Sequence, residues 1–132
     1  MNLKVVLALS LVAITTLTGC SIKDSSSNTS YKKISSKEAK EMMDGDSDTI
    51  ILDVRSQEEY DSGHIEGALL IPDGQISEKA DSILTDKDAT ILVYCRSGRR
   101  SLAASKELVE LGYTNIYDFG GIIDWPYETV IK

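Results

Sequence analysis

The chain of 132 residues has only two cysteines, one histidine and four arginines, and these shortages exclude several classes of protein. Two cysteines cannot build a disulfide framework or a cysteine-rich zinc site. The net charge of −7 argues against a nucleic-acid binder, because such a protein normally presents a basic face. With 42% hydrophobic and 27% charged residues, and a length typical of one domain, the composition indicates a single acidic domain with its own core.

Residues 1–19 have the pattern of a secretory signal peptide. Lys4 precedes an uncharged run, Val5–Thr18, which is shorter than the ~20 residues that a membrane-spanning helix needs and is typical of a signal-peptide hydrophobic region. A buried core helix is the alternative interpretation of this run. The following segment, Leu17-Thr18-Gly19-Cys20, resembles the bacterial lipobox, in which the signal is cut before the cysteine.

The lipobox resemblance implies that Cys20 becomes the N-terminus and carries acyl chains. Each buried CH₂ group contributes ~0.8 kcal/mol, so several chains make a stable membrane anchor. Removal of residues 1–19 leaves 13 basic and 21 acidic residues, a net charge of −8. We expect residues 20–30 to be the lipidated cysteine and a flexible serine-rich tether, and residues 31–132 to be the folded domain. The predicted location is the cell membrane, with the domain on the extracytoplasmic side.

Strand-like and helical segments alternate along residues 31–132. Ser35 and Glu38 form a capping-box pattern that opens a helix through Met43, and Gly112 is the predicted C-terminal cap of a later helix. The predicted strands are residues 49–54, 67–72, 90–94 and 115–119; the predicted helical segments are residues 36–43, 56–60, 76–84 and 101–111, with a last helical turn that holds Trp125. Such alternation indicates an α/β domain with a mostly parallel sheet.

The segment between the strand at 90–94 and the helix at 101–111 reads Cys95-Arg96-Ser97-Gly98-Arg99-Arg100-Ser101. Ligands of open α/β sheets bind beyond the carboxyl ends of the strands. A loop that leads into a helix N-terminus presents unpaired backbone N–H groups and the positive end of the helix dipole. Gly98 allows a tight turn there. We therefore expect an anion-binding loop with the Cys95 sulfur at its centre.

Three of the four arginines, Arg96, Arg99 and Arg100, lie in a stretch of five residues inside this loop. Arginine offers planar, paired donors that fit oxyanions better than a lysine ammonium does. A solvated basic turn is the alternative interpretation. Arginines and a helix N-terminus stabilise a thiolate, and the same donors would stabilise a persulfide and attract an anionic sulfur donor. The loop therefore predicts a nucleophilic Cys95 that works in two covalent steps.

Cys95 would be the only thiol left in an exported chain if Cys20 is lipidated. Oxidising compartments usually pair cysteines, so an unpaired one indicates reactivity. A Cys20–Cys95 disulfide and an inert buried thiol are the alternatives.

The domain resembles a single-domain rhodanese in six segments that occur in order across residues 33–127. These segments are Leu52-Asp53-Val54-Arg55, Glu58-Glu59-Tyr60, Gly63-His64-Ile65-Glu66-Gly67-Ala68, Ile71-Pro72, the loop from Cys95 to Ser101, and Gly120-Gly121-Ile122 with Trp125. The resemblance implies a five-stranded, mostly parallel sheet with helices on both faces, and sulfurtransferase activity through a persulfide on Cys95. It also implies that Arg96, Ser97, Gly98, Arg99, Arg100 and Ser101 hold the substrate. Glu66 and Leu70 depart from the residues that are frequent in the family, which puts local packing rather than activity in doubt.

Three further residues could form a second layer around the site. Asp53 and Arg55 follow a strand whose carboxyl end should lie near Cys95, where they could touch substrate, although a buried structural ion pair is favoured. His64 could form a dyad with Cys95, but a structural role near the Gly63 turn is favoured, because the loop itself stabilises a thiolate.

The main functional hypothesis is transfer of sulfur from thiosulfate, a polysulfide or a persulfide to cyanide or a thiol, without a cofactor or a metal. A carrier that passes persulfide sulfur to a protein acceptor needs the same Cys95 and stays open. A cysteine phosphatase or arsenate reductase of the same fold is a weaker alternative. Those enzymes need an arginine six positions after the cysteine, where this chain has Ser101 and places Arg100 one position early.

Overall fold

A computed structural model describes residues 30–132, which form an α/β domain around a five-stranded sheet in which every strand pair is parallel. The strands are β1 (Lys32–Lys33), β2 (Ile50–Asp53), β3 (Leu69–Leu70), β4 (Ile91–Cys95) and β5 (Ile116–Gly121). Their order in the sheet is β1-β5-β4-β2-β3. The predicted strand at 90–94 therefore forms the central strand β4, and its carboxyl end lies at the middle of the sheet.

Helices cover both faces of the sheet, as expected. They are α1 (Ser36–Gly45), α2 (Gln57–Ser62), α3 (Ile76–Ile83) and α4 (Arg99–Glu110), with short 3₁₀ turns at Asp73–Gln75 and Ile122–Asp124. Side chains of β4 alternate between two cores because successive residues of a strand point to opposite faces. Ile91, Val93 and Cys95 pack with α3 and α4, whereas Leu92 and Tyr94 pack on the side of α1 and α2.

The predicted capping box is present at the start of α1. The Glu38 N–H donates to Ser35 Oγ at 3.2 Å, and the Ser35 N–H donates to Glu38 Oε2 at 2.7 Å. Helix α4 begins at Arg99 rather than at the predicted Ser101, so two of the loop arginines belong to its first turn. Strand β1 was not predicted, because its two residues are exposed lysines with no apolar pattern.

Residues 1–29 are outside the described part of the chain. The predicted signal peptide at 1–19, the lipidation site at Cys20 and the tether up to residue 29 therefore stay predictions. Within residues 30–132, no helix combines the length and the apolar character that crossing a membrane requires.

Candidate active site

Cys95 is the last residue of β4 and lies directly in front of the first turn of α4. The backbone N–H of Gly98 donates a hydrogen bond to Cys95 Sγ at 2.9 Å. The residue is buried, with 1% of its surface exposed. A sulfur in this position receives a backbone donor and lies at the N-terminus, the positive end of the dipole, of a 12-residue helix.

Two glycines make the conformation of this loop possible. Gly98 is the N-cap of α4 at φ +101°, a left-handed conformation that favours glycine. Gly121, at the end of β5, lies against the loop from behind. A Cβ atom at position 121 would overlap the carbonyl oxygen of Arg96 and lie 2.7 Å from the Cα of Ser97. The loop therefore rests on the backbone of β5 with no space for a side chain between them.

Ser101, predicted to hold substrate, has its hydroxyl underneath the loop. The residue is fully buried, and Ser101 Oγ lies 2.8 Å from Asp118 Oδ1, 3.1 Å from the Gly98 carbonyl oxygen and 3.3 Å from that of Gly120. The same Asp118 oxygen accepts the N–H of Gly120 at 3.0 Å. Sequence reasoning missed Asp118, although a carboxylate inside the apolar run of β5 was the available signal.

The exposed side of the loop carries Arg96, Ser97 and Arg99. Within residues 30–132, the side chains of Arg96 and Arg99 form no ion pair, so both guanidinium groups are available to an anion. They give the loop that follows Cys95 two exposed positive charges in an acidic protein. Their predicted role in holding an anionic donor stays a prediction.

Arg100 has a different environment from the other two arginines. Its Nη1 and Nη2 each donate to a carboxylate oxygen of Glu59, both at 2.9 Å, and about a third of each side chain is exposed. The hydrogen bond and charge of Glu59 raise the pKa of Arg100, and the charge of Cys95 adds to this rise. Arg100 also lowers the pKa of Glu59. The partner of Glu59 lies 41 residues away along the chain and could not be found from the local sequence.

Asp53 and Arg55 form a buried ion pair. Arg55 Nη2 donates to Asp53 Oδ2 at 2.7 Å and to the carbonyl oxygen of Gly63 at 2.7 Å, while Arg55 Nε lies 3.0 Å from Asp53 Oδ1. Burial opposes the charge on Arg55, but the bonds and charge of Asp53 raise its pKa. Burial and the nearby Asp53 charge raise the pKa of Tyr94, which keeps that phenol neutral under the guanidinium. The pair thus braces the end of β2 against the Gly63 turn.

His64 has structural contacts, and none of its hydrogen bonds joins it to Cys95. Its Nδ1 lies 2.8 Å from the Tyr60 carbonyl oxygen, which only accepts, so Nδ1 carries the proton. The ring stacks on Tyr60 with 3.7 Å between the ring centroids, and the backbone pairs with Val130 near the end of the chain. These contacts place His64 at the Gly63 turn.

The surface formed by residues 30–132 includes a smaller and a larger groove. A groove of about 250 Å³ borders the back of the loop and is lined by Ser97, Gly98, Asp118 and Gly120, among others. A larger groove of about 650 Å³ lies between α1 and the C-terminal segment, and no residue of the Cys95 loop lines it. Within the described residues, no group of three or more His, Cys, Asp or Glu is placed to share a metal ion.

Comparisons with known proteins agree with this fold. The model of the rhodanese-like domain family matches residues 35–126. Thiosulfate sulfurtransferase PspE of Escherichia coli K12 is 40% identical over 73 residues, which cover 55% of this chain and 70% of that protein. Thiosulfate sulfurtransferase GlpE of Coxiella burnetii (strain RSA 331) is 36% identical over 96 residues, which cover 72% of this chain and 87% of that protein.

A solved structure described as a rhodanese with anions, from Escherichia coli, superposes with a TM-score of 0.60. It is 36% identical in sequence, and the match covers 64% of this chain and 99% of that chain. The family model spans more than half of the chain, and the relatives named above are sulfurtransferases. The chain belongs to the rhodanese-like domain family.

Proposed function

We propose that the protein is a sulfurtransferase that moves sulfane sulfur through a persulfide on Cys95. The donor is thiosulfate or a polysulfide or persulfide, and the acceptor is cyanide or a thiol. The observation that carries the proposal is the hydrogen bond from the Gly98 N–H to Cys95 Sγ, 2.9 Å long, at the N-terminus of α4. The names of the PspE and GlpE relatives support the same reaction.

In the first step, the Cys95 thiolate attacks the outer sulfur of thiosulfate. The new bond joins Cys95 Sγ to that sulfur, the S–S bond of thiosulfate breaks, and sulfite leaves with the electron pair. In the second step, cyanide attacks the outer persulfide sulfur, and thiocyanate leaves while the Cys95 thiolate is restored. No outside oxidant or reductant is needed, and the loop donors stabilise the anion that Cys95 carries before and after each transfer.

A turnover assay tests this proposal. Purified chain with Cys20→Ala, so that Cys95 is the only thiol, is given thiosulfate and cyanide, and thiocyanate is followed over time. We expect continuous formation of thiocyanate, and a Cys95→Ser variant that folds normally but forms none. A single burst equal to the amount of protein would instead favour the persulfide carrier. Formation of thiocyanate by Cys95→Ser at the wild-type rate would refute the assignment of Cys95.

We also propose that Cys20 anchors the domain by acyl chains to the extracytoplasmic side of the cell membrane. The support is the Leu17-Thr18-Gly19-Cys20 segment after an uncharged run, and the lone cysteine of the domain. Cells that express the chain are labelled with palmitate and separated into membrane and soluble fractions. We expect label in the wild type and none in Cys20→Ala; equal labelling of the two chains would overturn the anchor.

A further inference from the structure

We infer that Asp118 is a positioning residue for Cys95: it holds the loop and its support together so that the Gly98 N–H stays aimed at the sulfur. The inference rests on the proposed function only in taking Cys95 as the reacting group. Asp118 is 3% exposed, and no basic side chain among residues 30–132 pairs with it. A buried carboxylate without an ion-pair partner is costly to keep, unless hydrogen bonds compensate for the loss of water.

One carboxylate oxygen of Asp118 accepts two hydrogen bonds, one from helix α4 and one from strand β5. Oδ1 accepts the hydroxyl of Ser101, in the first turn of α4, and the N–H of Gly120, at the end of β5. The Ser101 hydroxyl has one proton and three acceptors within 3.3 Å. Its shortest distance is to Asp118, and a charged acceptor makes the stronger bond, so the proton lies on that contact.

The two hydrogen bonds of Asp118 affect the Cys95 loop because the end of β5 is in backbone contact with that loop. A Cβ atom on Gly98 would lie 3.5 Å from the Cα of Gly120, and Gly121 lies against the backbone of Arg96. The Ile123 N–H also donates to the carbonyl oxygen of Arg96 at 3.2 Å. Asp118 therefore holds the end of β5 through Gly120 and the start of α4 through Ser101. Gly98 lies between these two points.

The chemical consequence concerns a single donor. Among the described residues, the Gly98 N–H is the group that donates a hydrogen bond to Cys95 Sγ. A shift of the loop by a few tenths of an ångström lengthens that bond, so the donor no longer supports the Cys95 sulfur in the position that attack requires. An effect of this kind changes the rate of attack by Cys95 and leaves the affinity for an anionic donor, which the exposed arginines are predicted to govern, nearly unchanged.

The test uses Asp118→Ala, Asp118→Asn and Ser101→Ala, with two controls. Ser105→Ala removes a buried hydroxyl one turn further along α4 that has no hydrogen-bond partner, and is the matched control for Ser101→Ala. Ile116→Val removes one methylene from the same strand β5, away from the loop, and controls for general loss of stability. Two rates are measured at one pH near neutrality: alkylation of Cys95 by iodoacetamide, and persulfide formation from thiosulfate, each with Cys20→Ala in the background.

We expect Asp118→Ala to slow both rates about tenfold, with the concentration of thiosulfate at half-maximal rate changed less than twofold. Ser101→Ala should slow them about three- to fivefold, because the bond from Asp118 to Gly120 remains. Asp118→Asn keeps an acceptor oxygen and should recover both rates to within about threefold of wild type. Ser105→Ala and Ile116→Val should match the wild type.

Wild-type rates in folded Asp118→Ala would overturn the inference, as would an equal loss in Ile116→Val, which would show a general effect of stability. Failure of Asp118→Asn to recover the rates would show that charge rather than position is involved. If Asp118→Ala does not fold, equal rates for Ser101→Ala and Ser105→Ala overturn it instead. Absence of persulfide in the wild type would refute the proposed function, whereas the alkylation rates would still decide the role of Asp118.

Discussion

Gly121 and Arg96 lie in direct backbone contact, because a Cβ atom at position 121 would overlap the carbonyl oxygen of Arg96. Gly121 has φ −120° and ψ 147°, a conformation that any residue adopts. The requirement for glycine at this position is therefore one of space alone. The contact places the end of β5 as a flat support under the loop that follows Cys95.

Gly121→Ala should displace the loop and reduce sulfur transfer at least tenfold. Overpacking of this kind also costs about 1–3 kcal/mol of the free energy of unfolding. Thiocyanate formation and urea unfolding measure the two effects. Gly45→Ala is the control, since a Cβ atom there meets nothing within 4 Å. A Gly121→Ala variant with full activity would contradict the contact.

Gly98→Ala should lose stability and activity together, because alanine is strained at φ +101°. The expected cost is about 1–2 kcal/mol, with at least a tenfold slower reaction as the N–H donor to Cys95 moves. Gly112→Ala is matched, since Gly112 has φ +95° at the other end of α4. That variant should lose similar stability and keep its activity; equal loss of activity in both would mean that strain, rather than the position of the donor, decides the rate.

Glu59→Gln should remove a small, pH-dependent part of the stability. The hydrogen bond from Arg100 lowers the pKa of Glu59 in the folded chain. The stabilisation is thus fully present above the ordinary value of about 4.5 and is lost as the pH falls through the lower folded value. Because both side chains are about a third exposed, we expect a difference of only about 0.5 kcal/mol at pH 7.

Unfolding curves of the wild type and Glu59→Gln from pH 7 to pH 3 check this expectation. The difference between them should shrink towards zero at the acid end. Glu41→Gln is the control, since Glu41 pairs with Lys37 at 3.9 Å and both are well exposed. A constant difference across the pH range would show that the Glu59 carboxylate is not responsible.

Arg55→Met should destabilise the domain strongly, because it leaves the Asp53 carboxylate buried without its cation. The expected loss is about 3–5 kcal/mol in urea unfolding. Adding Asp53→Asn removes the stranded charge and keeps an oxygen for the backbone N–H of residue 55, so the double variant should recover at least half of that loss. No recovery would mean that the packing of Arg55 over Tyr94, rather than the ion pair, provides the stability.

Local patterns predicted much of this domain because they depend on neighbouring residues. The capping box at Ser35 and Glu38, the buried run of β4 and the glycine before α4 each determine structure within a few residues. Strand β1 escaped prediction because Lys32 and Lys33 are ordered only by pairing with Tyr117 and Asp118 far along the chain.

The sequence allowed the Cys95 loop to be predicted, but not the residues that hold this loop in place. Cys95 and its loop are contiguous, so their position after a strand and before a helix could be inferred from the sequence. Asp118 and Glu59 act on Ser101 and Arg100 from 17 and 41 residues away, and only the folded sheet brings them together. Ser101 shows the limit most clearly, since its hydroxyl turns under the loop to a partner that the local sequence does not contain.

The mass of the intact chain after a brief exposure to thiosulfate shows whether Cys95 takes up sulfur. The chain carries Cys20→Ala, so that Cys95 is the only thiol. We predict a gain equal to one sulfur atom, located on Cys95, which disappears when cyanide is added and never forms in Cys95→Ser. An unchanged mass, or the same gain in Cys95→Ser, would contradict it.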